Sequence, residues 1–187
     1  MILNKKIRIG ILGGSFNPPH QGHFYISKIA IKKLKLKQVW WIPTLYNNLK
    51  DKNIYLEYDV RIKKCQKIIG NNLTIKIKNN KEIISYKLLS QLKKQYKNYD
   101  FTWLMGEDSI IQMHKWQNYK KLIAENKFAV FSRDNYNIIC RKSRSAIIAK
   151  KNSRSQKYSA NKINFITIKK MAISSTLIRR QNIFSNS

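Results

Sequence analysis

Acidic side chains are scarce in this chain of 187 residues: nine Asp and Glu stand against 38 Lys and Arg, a formal net charge of +29 at pH 7. Cysteine is scarcer still. Cys65 and Cys140 lie far apart, with no CxxC pair and no histidine cluster near either, which argues against a zinc site and against a disulfide framework and fits a reducing cytoplasm. No apolar run approaches the roughly 20 residues of a membrane span. Lys5, Lys6 and Arg8 precede only a short hydrophobic stub that ends at Gly13 and Gly14, so the N-terminus reads as a first strand rather than a signal peptide, and no membrane partner is expected. Internal repeats and domain linkers are also missing. The length suits one domain over residues 1–187 with a substantial core.

The shortage of acid pulls towards a polyanion partner, and a nucleic-acid-binding module has this bulk charge. However, lysine far outnumbers arginine, isoleucine and asparagine are abundant, and the basic residues are scattered along the whole length. An AT-rich coding sequence imposes that composition on any surface, so a solvated basic face is preferred to a selected nucleic-acid site. The field would still draw in anionic substrates such as nucleotides.

Three histidines are present, and two of them fall in one loop. The stretch Ile9 to His23 reads IGILGGSFNPPHQGH. Ile7 to Leu12 is an apolar run that suits a strand buried on both faces of a parallel sheet. Gly13 and Gly14 end it, allowing a sharp turn and the close approach of a bulky anion to the main chain. Asn17, Pro18 and Pro19 continue as a rigid loop, and His20 and His23 follow where a helical pattern begins. A helix start offers free N–H groups and a positive dipole end, so loop, helix and imidazoles form an anion site.

Further along, Ile26, Ile29, Ala30 and Leu34 mark an amphipathic helix, and Gln38 to Ile42 a second strand closed by Pro43. Strand, helix and strand at this spacing imply a right-handed parallel crossover. Tyr58 to Ile69 reads as a second helix with Cys65 in the core, Leu73 to Ile77 as a third strand, and Leu88 to Tyr96 as a third helix. Phe101 to Met105 is the next strand, with Gly106, Glu107 and Asp108 directly after it. At a strand's carboxyl end a glycine leaves room for a sugar, and a carboxylate can accept from a ribose hydroxyl; Asp108 could instead cap the next helix. Lys127 to Phe131 forms a fifth strand. Arg141 to Lys157 holds seven basic residues and no acidic one, the chain's best candidate for a flexible, solvated insertion and its foremost nucleic-acid patch if one exists. Ile163 to Ile168 alternates as a final strand, and Ile173 to Arg179 reads ISSTLIR, where Ser175 and Thr176 suit a helix start and Arg179 can make a two-pronged phosphate contact.

GGSFNPPHQGH resembles the HxGH signature of the nucleotidyltransferase superfamily, and its GSFNP lead-in looks like the bacterial nicotinate-nucleotide adenylyltransferases; ISSTLIR resembles the second signature, ISSTxxR. Related pantetheine-phosphate adenylyltransferases usually carry Asp where Asn17 stands. The resemblance covers nearly the whole chain in order, apart from a further C-terminal helix that members usually have after ISSTxxR. It implies an α/β fold, a Rossmann-like parallel sheet with helices on both faces. It also implies transfer of the adenylyl group of ATP, carried with Mg²⁺, to nicotinate mononucleotide. His20, His23 and Arg179 would be catalytic. Gly13, Gly14, Ser15, Phe16, Gly106, Asp108, Ser175 and Thr176 would join them around ATP, with no metal ligand supplied by the protein. Asn17, Lys50, Trp116 and Arg133 would hold the mononucleotide, Trp116 by stacking on the pyridine ring. In the segment where members have a PPHK-like sequence this chain reads YNNLK, so Lys50 matches the lysine alone and could be an ordinary loop residue. Trp116 could equally be a packing residue, and a homo-oligomer is possible. Transfer to nicotinamide mononucleotide or phosphopantetheine is the alternative within this class.

Overall fold

The computed structural model describes residues 6–46, 55–80, 82–133, 137–154 and 163–169, together with Ser175 and Ile178. Lys50, Thr176 and Arg179 lie outside the described residues. Six strands form one parallel sheet in the order β3-β2-β1-β4-β5-β6. They are β1 (Ile7–Gly14), β2 (Gln38–Pro43), β3 (Ile75–Ile77), β4 (Tyr99–Gly106), β5 (Lys127–Arg133) and β6 (Ile163–Ile168). The helices between them are α1 (Gln21–Leu34), α2 (Tyr58–Ile69), α3 (Ser85–Gln95), α4 (Glu107–Gln112), α5 (Tyr119–Glu125), α6 (Asn137–Lys142) and α7 (Arg144–Arg154).

The period of two in the strands sorts the core into two halves. On one face Ile9, Ile11, Trp40, Ile42, Phe101, Trp103, Met105, Phe128 and Val130 pack with residues of α3, α4, α5, α6 and α7. On the other, Leu12, Val39, Trp41, Leu104, Ala129 and Phe131 pack with α1 and with Cys65 and Ile69 of α2. Burial of one such side chain is worth about 1.5–3 kcal/mol, and it is this two-sided burial that explains why the central strands read as unbroken apolar runs. The helices do lie on both faces, as expected.

The strand order reverses between β1 and β4, which run side by side from Ile7 opposite Tyr99 to Leu12 opposite Leu104. Ligands bind such sheets at the carboxyl ends of the strands where the order switches. Gly13, Gly14 and Gly106 are at those ends.

Three expectations change. The glycine pair does not end β1: Gly13 and Gly14 stay in register opposite Ile42 and Pro43, because the parallel ladder continues to the end of β2. β3 is three residues long, Leu73 being well exposed ahead of it. The basic segment, in its described part, is no solvated insertion. Through residue 154 it runs from the end of α6 through α7, anchored by the buried Ser145, Ala146 and Ala149, with Arg141, Lys142, Arg144, Lys150 and Lys151 exposed. Small residues at close spacing let the helix lie near its neighbours, a signal that the charge run masks.

Candidate active site

The loop between β1 and α1 makes its bend at Phe16, not at a glycine. Phe16 has φ 46°, a left-handed conformation costing about 1–2 kcal/mol in a non-glycine residue. Its buried ring offsets this, lying 5.0 Å from Trp41 and 4.7 Å from His23, centroid to centroid. The Asn17–Pro18 peptide is cis. Asn17 is 1% exposed, and its Oδ1 accepts from the Leu56 N–H at 3.0 Å. Gly13 is required by packing, since a Cβ there would come within 2.6 Å of the Trp103 indole. A Cβ at Gly14 or Gly106 would meet no close neighbour, so both leave room on the ligand side.

His20 caps α1, and both imidazoles are fixed by main-chain donors. The Gly22 N–H donates to His20 Nδ1 at 3.1 Å and the His20 N–H donates to His23 Nδ1 at 3.2 Å. The rings lie 3.9 Å apart. Behind them, Trp41 Nε1–H donates to Ser27 Oγ at 2.8 Å and the Ser27 hydroxyl donates to the His23 carbonyl at 2.9 Å. With both Nδ1 atoms accepting, the neutral rings carry their protons on Nε2, as donors. Burial lowers His20 from 6.5 to about 4; burial and the neighbouring His20 lower His23 to about 3.

Stability follows from this with a definite sign. Above pH 6.5 the rings are neutral folded or unfolded. As pH falls from 6.5 towards 4 the unfolded chain takes up protons that the folded one refuses, so stability drops. The slope is at most about 1.4 kcal/mol per pH unit for each ring, and less for the more open His20, which solvent screens. Thermal unfolding followed between pH 7 and 5 should therefore show Tm falling with acidity, and a His20→Asn, His23→Asn double variant should show a flatter curve. Equal slopes would mean that the pair is not held neutral.

A cavity of about 290 Å³ opens beside this loop. Gly13, Gly14 and Ser15 form one side with Thr44 and Tyr46, and Trp103, Trp116 and Ser85 line the rest. Trp116 follows a single 3₁₀ turn, Met113–Lys115, and sets its indole at 71° to that of Trp103, 6.4 Å away. It is partly buried, packed along one edge with ring surface left for the cavity. Among the described residues that line the cavity, Lys115 is the charged one. His114 turns away, its Nδ1 2.8 Å from the Ile111 carbonyl oxygen.

Of the second signature, Ser175 is helical, and its hydroxyl donates to the Pro18 carbonyl at 2.8 Å, across 157 positions of sequence. Two distant segments thus meet at the same loop. Residues 11–181 match the cytidylyltransferase-like family. The chain belongs to that family. It is 38% identical over 183 residues to a Pelagibacter ubique protein described as a probable nicotinate-nucleotide adenylyltransferase, covering 94% of each. It is 36% identical over 129 residues to a Rhizobium meliloti protein of the same description, covering 67% of this chain and 68% of that one. Among solved structures, Plasmodium falciparum nicotinic acid mononucleotide adenylyltransferase complexed with NaAD superposes with a TM-score of 0.72 at 25% identity, covering 92% of this chain and 82% of that one.

Within this family member, the β1–α1 loop brings Gly13, Gly14, Ser15, His20 and His23 together, with Gly106 at the adjacent strand end. Asp108 is exposed in the first turn of α4, whose N-cap is Gly106, so it is not the capping residue. Arg133 is the last residue of β5. Phe16 and Asn17 are turned inwards, so any contact they make with a ligand goes through their main chain or at the loop's edge. Sequence reasoning missed Trp103, Thr44 and Arg61. Trp103 looked like ordinary strand filling, and Arg61 like one base among 38.

Proposed function

We propose that the chain transfers the adenylyl group of ATP to nicotinate mononucleotide, giving nicotinate adenine dinucleotide and pyrophosphate. The observation that supports this reading is the Ser175–Pro18 contact, which sets Ser175 of the second signature against the imidazole loop of the first. It also supports treating residues 1–187 as one nucleotidyltransferase domain. The names of the relatives support the same substrate pair.

In this mechanism a 5′-phosphate oxygen of the mononucleotide attacks the α-phosphorus of ATP in line. The new P–O bond forms as the bond to the oxygen bridging to the β-phosphorus breaks, and pyrophosphate leaves with that electron pair. No covalent enzyme intermediate is needed, and catalysis consists of positioning and charge stabilisation. The Nε2–H groups of His20 and His23, with Thr176 and Arg179, are the donors for the phosphates, and Ser175, whose hydroxyl donates to the Pro18 carbonyl, would turn that hydroxyl to the phosphate or act by holding the two segments together. Because each Nδ1 already accepts a main-chain N–H, the rings stay neutral and each offers the phosphates one Nε2–H donor. Trp116 would stack on the pyridine ring, with Asn17, Lys50 and Arg133 near the rest of the mononucleotide. Mg²⁺ would be carried in with ATP and would neutralise charge on the polyphosphate.

Pyrophosphate release measured with ATP and, in turn, nicotinate mononucleotide, nicotinamide mononucleotide and phosphopantetheine tests the proposal. The acid mononucleotide should give the highest kcat/KM. Turnover with another acceptor alone would overturn the substrate assignment. Nucleic-acid binding that persists at physiological salt, with no thermal shift from ATP, would overturn the enzyme assignment.

A further inference from the structure

Arg61, in the first turn of α2, is 1% exposed, and its guanidinium donates to four main-chain carbonyls rather than to a carboxylate. Nη1 reaches Ser15 O at 2.6 Å and Thr44 O at 2.7 Å, Nη2 reaches Leu45 O at 2.7 Å, and Nε reaches Leu56 O at 2.9 Å. The Tyr55 and Tyr58 rings flank it, 5.5 and 5.3 Å from its central carbon. The four carbonyls belong to three segments: the loop after β1, the loop after β2 and the approach to α2. Two further bonds follow the same seam, Thr44 N–H to Gly14 O at 2.9 Å and Leu56 N–H to Asn17 Oδ1 at 3.0 Å.

Ser15 and Thr44, whose carbonyls share one guanidinium nitrogen, are also wall residues of the cavity. Carbonyl dipoles converging on one buried point repel one another unless a cation with several donors sits between them. Only arginine supplies five donors in a fixed planar fork, so the distance from the β1 loop to the β2 loop is set by the guanidinium itself.

We propose that Arg61 is a positioning residue for catalysis: by holding Ser15, Thr44, Leu45 and Leu56 on one rigid fork, it fixes the separation between the phosphate-binding loop and the wall of the acceptor cavity. It touches neither substrate. Its effect reaches the reaction through Ser15, which neighbours the loop glycines, and through Thr44, which faces the acceptor. The inference rests on the adenylyl-transfer reading above.

Arg61→Lys is the deciding variant, because it keeps the charge and most of the stem and loses the fork. At 20 °C, KM for the mononucleotide should rise and kcat should fall, each by about tenfold or more, since small misplacements of reacting groups are costly in rate. Far-ultraviolet circular dichroism should stay that of the wild type. In Arg61→Ala, millimolar methylguanidinium should restore part of kcat while leaving the wild type unaffected. Wild-type KM and kcat in Arg61→Lys, whatever its Tm, would overturn the proposal. So would failure of that variant to fold, which would make Arg61 a general scaffold residue. Absence of turnover in the wild-type protein would instead sink the adenylyl-transfer reading, so the two failures are distinguishable.

Discussion

His23→Ala should lower kcat by about 10² or more while KM for ATP changes much less, because it removes a donor aimed at charge that grows in the transition state. From its sequence position at the start of a helix beside Gly22, His23 is expected to matter little for folding. The structure changes that half of the expectation. The ring is packed against Phe16, His20 and Trp41, and its Nδ1 accepts the His20 N–H. Truncation to Ala leaves that N–H without its acceptor, at a cost of about 1–3 kcal/mol. His23→Asn separates the two roles: its amide oxygen can still take the N–H, but it does not extend to the position of Nε2. The Asn variant should lose as much kcat as the Ala variant and less Tm. Near-normal kcat in a folded His23→Asn protein would remove His23 from the mechanism.

Gly13→Ala should be the most disruptive one-carbon change at the site. The new Cβ would sit 2.6 and 2.7 Å from two atoms of the Trp103 indole, which is itself 3% exposed and packed edge-on against Trp116. Neither the strand nor the indole has free space, and overpacking of this kind costs about 1–3 kcal/mol. In a chain of this size each kcal/mol corresponds to roughly 2–4 °C of Tm. An indole that yields must move with Trp116, so KM for the mononucleotide should rise as well. Gly14→Ala is the internal control. Its Cβ would meet Phe16 at an ordinary 3.8 Å, so Tm should hold, and any loss of activity would report crowding of a bound anion. Equal Tm for the two variants would show that Gly13 is not set by Trp103.

Much of the architecture was written locally. The strands β1, β2, β4 and β5 bury both faces, and a strand with that environment has to be apolar throughout, so IGIL, VWWI, FTWLM and FAVF announce themselves. Both signatures were equally legible as patterns, small, hydroxyl and imidazole residues gathered in a short stretch of the kind a helix start with free N–H groups uses. β3 and the α6–α7 segment were not. β3 has only three residues, too few for a period to emerge, and α7 is held by Ser145, Ala146 and Ala149, whose small size is invisible beneath the surrounding charge.

What the sequence by itself determined is therefore the parallel sheet, the helix that begins at His20 and the chemistry gathered in its two signatures. The tertiary structure alone decided how those groups are made to work. Nothing local says that Phe16 rather than a glycine takes the left-handed turn, that the partly buried His pair loses enough solvent to stay neutral, or that Gly13 answers to Trp103. Nor does any local pattern single out Arg61 from the other bases. A guanidinium becomes a clamp only when Ser15, Thr44, Leu45 and Leu56 turn their carbonyls to one point, and that convergence is a property of three segments folded together. Propensity and hydrophobic period act over a few residues, whereas burial, packing and shared hydrogen bonds depend on which segments meet.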